Sequence, residues 1–197
     1  MDVGRIIHHG SSRRSFLRGA GFASAGGAAT LLAACGDGDE TTIQSGGIEG
    51  TEDDVQTLNA ALGLELTMVD AYTRTVGLLR GPIREAGETF LTHEQEHVDV
   101  LTKAITQLGG TTTAKRLPID YTGISGRPEV LGLWRRLEDL AIATYIDAIP
   151  KLSSGALRAT VATVATCEAE HSSVILGALG LPQAPQAFVT GDKDALG

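Results

Sequence analysis

The chain has 197 residues, 42% of them hydrophobic and 20% charged, which is enough for one globular domain with a buried core. Its formal net charge is -8. The first 34 residues hold four of the 16 basic residues and one of the 24 acidic ones, so the rest carries 12 basic against 23 acidic, a net of -11, which argues against a nucleic-acid partner.

The N-terminus reads as an address. Ser12-Arg13-Arg14-Ser15-Phe16-Leu17-Arg18 resembles a twin-arginine export motif. Gly19 to Ala34 is Ala/Gly-rich and mildly apolar, too short and weak for a transmembrane helix. It ends in Leu32-Ala33-Ala34-Cys35, similar to a bacterial lipoprotein cleavage box, in which Cys35 becomes the lipidated first residue. An ordinary cleaved signal with a chance cysteine is the competing reading. Cys35 and Cys167 are the only cysteines, too few for a zinc pattern or a disulfide framework. Residues 35–50 are rich in Gly, acid and Ser/Thr and read as a flexible tether.

From Thr51 the pattern becomes helical. Thr51 to Asp54 has the form of a capping box, and Val55, Leu58, Leu62, Val69 and Val76 recur at helical spacing as far as Arg80. Gly81-Pro82 ends this helix and opens a second, carried by Phe90, Leu91, Val98, Leu101, Ile105 and Leu108 to Gly109-Gly110. Thr111 to Arg127 contains Pro118 and several loop-forming residues and predicts a long connection. A third helix starts near Pro128 and runs through Leu131, Trp134, Leu137, Ile142 and Ile146 to Pro150. Ser153 or Ser154 caps a fourth, with Leu157, Val161, Val164, Ile175 and Leu179 on its stripe, and Gly180 and Pro182 end it. In the tail, residues 181–197, Phe188 and Val189 are the residues expected to pack. Short, long and short connections predict two antiparallel hairpins joined by one crossover, an all-α four-helix bundle.

The stripes that should be apolar carry the chemistry. Glu65 lies between Leu62 and Val69 on the first helix, and Glu138 between Trp134 and Ile142 on the third. The second and fourth helices carry Glu94-Gln95-Glu96-His97 and Glu168-Ala169-Glu170-His171, each with Glu and His at i and i+3 on one face. Four carboxylates in one core are prohibitively costly without cations. The arrangement is also duplicated. Glu94 follows Glu65 by 29 residues and Glu168 follows Glu138 by 30, while Tyr72 and Tyr145 each follow the preceding core glutamate by seven. With 12 glutamates and five histidines, chance supplies roughly 0.3 E-x-x-H motifs; two at matched depth in alternate helices are a specific signal.

Over residues 51–180 these motifs resemble the ferritin-like di-metal carboxylate superfamily, which includes bacterioferritin and rubrerythrin; the exported ferritin-like domain proteins look most similar. The resemblance implies that Glu94 and Glu168 bridge two metal ions, with Glu65 and His97 completing one site and Glu138 and His171 the other. It implies two iron ions, with manganese as an alternative of the same oxygen-rich preference. Tyr72 and Tyr145 match a tyrosine of several relatives; they cap the core or hydrogen-bond a ligand carboxylate, with a radical role as the alternative. Some relatives place an acidic residue just before the E-x-x-H glutamate; here His93 and Cys167 stand there. That leaves the partners of His97 and His171 unidentified.

His93, Glu96, Asp99 and Glu170 read as solvated neighbours, with His93 as a substitute ligand in the alternative; Cys167 reads as a small core residue and Trp134 as packing. Two functions compete: an exported, lipid-anchored centre, on the outer face of the bacterial cytoplasmic membrane or in the periplasm, that oxidises Fe(II) or reacts with dioxygen or peroxide, or a non-catalytic, metal-stabilised envelope or stress lipoprotein. A homodimer is compatible with either. Iron storage in a closed shell fits poorly with a tethered subunit.

Overall fold

The computed structural model describes residues 50–196. The export motif, Cys35 and the tether up to residue 49 lie outside the described residues. Four long helices follow: α1, Glu52–Thr75; α2, Pro82–Gln107; α3, Arg127–Ala148; and α4, Gly155–Ala178. Single 3-10 turns, Val76–Leu78 and Ile149–Lys151, extend α1 and α3 into their hairpins. Pairing is closest within α1–α2 and α3–α4, then between α1 and α3, and loosest between α2 and α4.

Local chemistry fixes the helix ends. Thr51 caps α1 through a full capping box, its hydroxyl accepting from the Asp54 N–H at 3.2 Å while Asp54 Oδ2 accepts from the Thr51 N–H at 2.7 Å. Asp54 also takes the Ser153 N–H at 2.8 Å and hydroxyl at 2.6 Å, so the start of α1 is tied to the turn between α3 and α4. Burial acts to raise the Asp54 carboxyl, but the hydrogen bonds from Ser153 and Thr51 outweigh it and hold it at about 2. Pro82 occupies the first turn of α2 and Pro128 that of α3, where the missing N–H costs nothing. Ser154, and not Ser153, caps α4 by accepting from the Leu157 N–H at 3.1 Å.

The crossover, residues 108–126, runs alongside α1 in the same direction. Asn59 brackets Thr111 and Thr113, the Thr67 hydroxyl accepts from the Leu117 N–H at 2.8 Å, and Asp70 holds Arg116 at 2.6 Å and the Tyr121 hydroxyl at 2.9 Å. Gly63 permits the approach: a Cβ there would lie 2.7 Å from the Lys115 carbonyl oxygen. Inside, the Trp134 ring packs 4.4 Å from that of Tyr72, and its indole N–H donates to the Thr75 hydroxyl at 2.8 Å. Gly87 on α2 makes room for it, since a Cβ there would come within 2.3 Å of the indole.

Three expectations of burial fail. Ile146 is 42% exposed, because Tyr145 takes the inward position at that level of α3. Phe188 and Val189 are 82% and 53% exposed. The tail is held instead by its backbone: the Asp192 N–H donates to the Asp139 carbonyl at 2.8 Å, and Gly191, at φ 65°, presses onto α3 where a Cβ would lie 2.2 Å from that oxygen. Among the described residues no helix is long and apolar enough to cross a membrane.

Candidate metal centre

All six residues singled out from the repeated motif meet at the centre of the bundle. Glu65, Glu94, Glu138 and Glu168 are fully buried, with His171 at 2% and His97 at 8% exposure. α1 and α3 contribute one carboxylate each; α2 and α4 contribute a Glu and a His one turn apart on the inward face.

The donor atoms form two overlapping groups. Nδ1 of His97 lies 3.5 Å from Glu65 Oε2, 3.4 Å from Glu94 Oε2 and 3.0 Å from Glu168 Oε1. Nδ1 of His171 lies 3.2 Å from Glu94 Oε1, 3.5 Å from Glu138 Oε1 and 3.3 Å from Glu168 Oε2. Glu94 and Glu168 thus each turn one oxygen toward either histidine. Glu65, Glu94, His97 and Glu168 form one set with donor atoms within 4.8 Å of one another; Glu94, Glu138, Glu168 and His171 form the other.

Tyr72 and Tyr145 are fully buried beside these sets. The Tyr72 hydroxyl donates to Glu138 Oε1 and the Tyr145 hydroxyl to Glu65 Oε1. Each tyrosine therefore serves the carboxylate of the opposite hairpin, two helical turns along the axis from the glutamate of its own helix.

Eight buried donor or acceptor atoms have no hydrogen-bond partner: both oxygens of Glu94 and of Glu168, Oε2 of Glu65 and of Glu138, and Nδ1 of both histidines. Buried polar atoms are almost always satisfied, so eight in one cluster are compatible with a place for cations. The donor chemistry fits. Two donors bound at ~2.1 Å to one cation stand about 3.0–3.4 Å apart at right or tetrahedral angles, close to the separations found here.

Without cations the charge is balanced by protons. Burial raises Glu65 and Glu138 well above the ordinary carboxyl range, aided by the other carboxylates. Burial acts on Glu168 in the same sense, but contacts with His171 and His97 outweigh it and hold Glu168 at about 2. Burial acts to lower both imidazoles, yet Cys167 and the carboxylates facing them raise His97 and His171 instead. Burial, with the carboxylates alongside, also keeps the protons on Tyr72 and Tyr145.

Glu96, Asp99 and Glu170 are exposed, as expected of solvated neighbours. His93 and Cys167 are not. Both are half-buried at the outer edge of the cluster, where His93 Nδ1 lies 3.0 Å from His171 Nε2 and Cys167 Sγ 3.4 Å from the same nitrogen. The phase of the helix held the clue, because His93 precedes His97 by four residues and Cys167 precedes His171 by four, sharing their faces.

An all-α bundle with a carboxylate and a Glu-x-x-His pair on alternate helices defines the class of metal-carboxylate bundles. The family model described as "Ferritin-like domain" matches residues 53–181, and the chain belongs to that family. Solved structures agree on the fold. A protein of Bacillus anthracis str. Ames described as a ferritin like, diiron-carboxylate protein is 22% identical, covering 66% of this chain and 99% of its own, with a TM-score of 0.56. A conserved hypothetical protein of Mycobacterium tuberculosis is 17% identical, covering 69% and 96%, with a TM-score of 0.60. No curated protein matches the sequence.

Proposed function

We propose that the bundle holds a di-iron or di-manganese carboxylate centre that oxidises Fe(II) or reacts with dioxygen or peroxide. The observation that carries this is the splitting of Glu94 and Glu168, each with one oxygen in either donor set. The diiron-carboxylate description of the Bacillus anthracis neighbour is in line with it.

Glu65 and His97 would hold one ion, Glu138 and His171 the other, and Glu94 and Glu168 both. A bound pair of ions would supply two-electron redox chemistry at one place. The side chains have separate tasks. Glu94 and Glu168 would be shared between the two ions, while Tyr72 and Tyr145 orient Glu138 and Glu65 through one oxygen each. The apolar packing of Phe90 on the His171 ring, 4.1 Å between centroids, restricts water on that side.

The test loads the anaerobic protein with two equivalents of Fe(II), adds dioxygen or peroxide, and follows iron oxidation by near-ultraviolet absorbance. Oxidation faster than that of free Fe(II) supports the reading. Oxidation no faster with either oxidant, together with a Mn(II)-loaded sample inert to peroxide, would favour a metal-stabilised structural protein. The burial of all six side chains is the feature that agrees best with that second reading.

We further propose that the chain is exported folded by the twin-arginine route and anchored through Cys35 outside the cytoplasmic membrane. Replacing Cys35 by Ala should block processing or release the protein. Wild-type protein found soluble in the cytoplasm with residues 1–34 intact would refute it.

A further inference from the structure

His93 and Cys167 sit outside the two donor sets, yet with His171 they bring together three atoms of the kind that bind metals. Two readings compete: a third cation between them, or a hydrogen bond that supports His171. Ring geometry separates the two. The His93 and His171 planes are 11° from parallel and their centroids are 5.3 Å apart, while the facing nitrogens are 3.0 Å apart. The remaining 2.3 Å is the span of two imidazole radii laid end to end, so the nitrogens face each other almost in line. Two nitrogens sharing a cation in line need about 4 Å between them at metal–nitrogen bonds of ~2.0–2.1 Å. A separation of 3.0 Å in line is an N–H···N hydrogen bond.

We propose that His93 is the positioning residue for His171, its Nδ1 accepting the proton on Nε2 of His171. That bond fixes the tautomer in which His171 Nδ1 is unprotonated and faces Glu94, Glu138 and Glu168. It also leaves the His93 proton on Nε2. A carboxylate in this place would draw the Nε2 proton more strongly and make His171 a more electron-rich ligand. An imidazole acceptor would do so less and would favour the reduced state of an adjoining ion. Cys167 Sγ, 3.7 Å from His93 Nδ1 and 3.4 Å from His171 Nε2, flanks the bond without replacing it.

The inference rests on the metal-binding part of the function proposed above and not on its redox part. Zinc(II), which has no redox chemistry, is therefore the probe. Long-range proton–nitrogen NMR of the zinc-loaded full chain should find His171 protonated on Nε2 and His93 on Nε2, with His93 Nδ1 as acceptor. His93→Ala should weaken one of the two zinc ions by about 10- to 100-fold, and His93→Gln, whose side-chain carbonyl can accept the same proton, should restore most of it. In the iron-loaded protein His93→Asp should shift the midpoint potential to a more negative value, a change that a packing role would not produce. Circular dichroism of each variant checks that the bundle is intact.

A His93 proton on Nδ1, or two zinc ions bound by His93→Ala as tightly as by the wild type, overturns this inference alone. A third zinc in the wild type, lost in both His93→Ala and Cys167→Ala, overturns it in favour of a separate metal site. Failure of the wild type to bind zinc, iron or manganese overturns it together with the function proposed above.

Discussion

Tyr72 of α1 donates its phenolic proton to Glu138 of α3, a carboxylate on the other hairpin. Tyr145 of α3 makes the reciprocal bond to Glu65 of α1. The repeat seen in the sequence is thus a spatial exchange, in which each half of the duplication orients the carboxylate of the other. It leaves Oε2 of Glu65 and of Glu138 without a hydrogen-bond partner inside the cluster. The same bonds tie the two hairpins together at the level of the site.

Removing either hydroxyl should therefore cost stability as well as order. In the metal-free protein Tyr72→Phe and Tyr145→Phe should each lower the unfolding free energy by about 1–3 kcal/mol, the cost of leaving a buried acceptor without its donor. Chemical denaturation measures this. Tyr121→Phe, whose half-buried hydroxyl meets Asp70 near the surface, is the control and should cost less. Equal losses at all three positions would contradict the account.

Proton binding by the metal-free cluster sets the direction of its pH dependence. Folding raises Glu65 and Glu138 above the ordinary 4.5 and His97 and His171 above the ordinary 6.5. The folded chain therefore binds more protons than the unfolded one, and stability is lost as pH rises across about 5 to 8. Glu168, held at about 2, acts oppositely; its contribution is present above 4.5 and is lost only as pH falls toward 2, below that window. Metal ions require the protons to leave, so their affinity rises with pH. Calorimetry should find the metal-free Tm falling from about pH 5 to 8 and the gap to the metal-loaded Tm widening. A metal-free Tm that climbs over this range would be inconsistent with the cluster described.

Glu94 should matter most to the metal-loaded protein. Its oxygens lie one toward each histidine, 3.4 Å from His97 Nδ1 and 3.2 Å from His171 Nδ1. Glu94→Gln keeps the shape and removes a carboxylate common to both donor sets, so uptake of both ions should weaken and the rise in Tm on adding metal should shrink. Paired thermal melts with and without metal measure this. A metal-induced rise in Tm as large as that of the wild type would mean that Glu94 holds neither ion.

Gly87→Ala tests the packing behind the site. Alanine in mid-helix gains up to about 1 kcal/mol over glycine. Its methyl group, however, would fall 2.3 Å from the Trp134 ring, which is held by the hydrogen bond to Thr75 and by contact with Tyr72. Overpacking of this kind costs about 1–3 kcal/mol, so the net effect should be destabilising. Loss of stability together with a shift in tryptophan fluorescence is expected; a stabilised variant would show that α2 can move away from Trp134.

Much of this was legible because the site violates the pattern that surrounds it. Glu65 and Glu138 stand where helical period demands apolar residues, and the two Glu-x-x-His pairs repeat at nearly the same distance from them. Period alone gives the phase of one helix and not which helix faces it, so the exchange of Tyr72 and Tyr145 between hairpins could not be read. His93 and Cys167 lie one residue from the ligand rows, at the boundary between inside and outside, where composition favours a solvated histidine and a buried cysteine. Ile146 and Phe188 are exposed for a related reason: hydrophobicity marks a residue that can be buried, while Tyr145 and the backbone contact beside Gly191 decide which residue is.

Six side chains form two overlapping donor sets that share Glu94 and Glu168. The most direct test is elemental analysis of the protein purified from its own host, beside Glu94→Ala and Glu168→Ala. Two ions of iron or manganese per chain in the wild type, with both lost or strongly depleted in either variant, is the predicted result. No metal in the wild type, or a single ion retained by both variants, would contradict it.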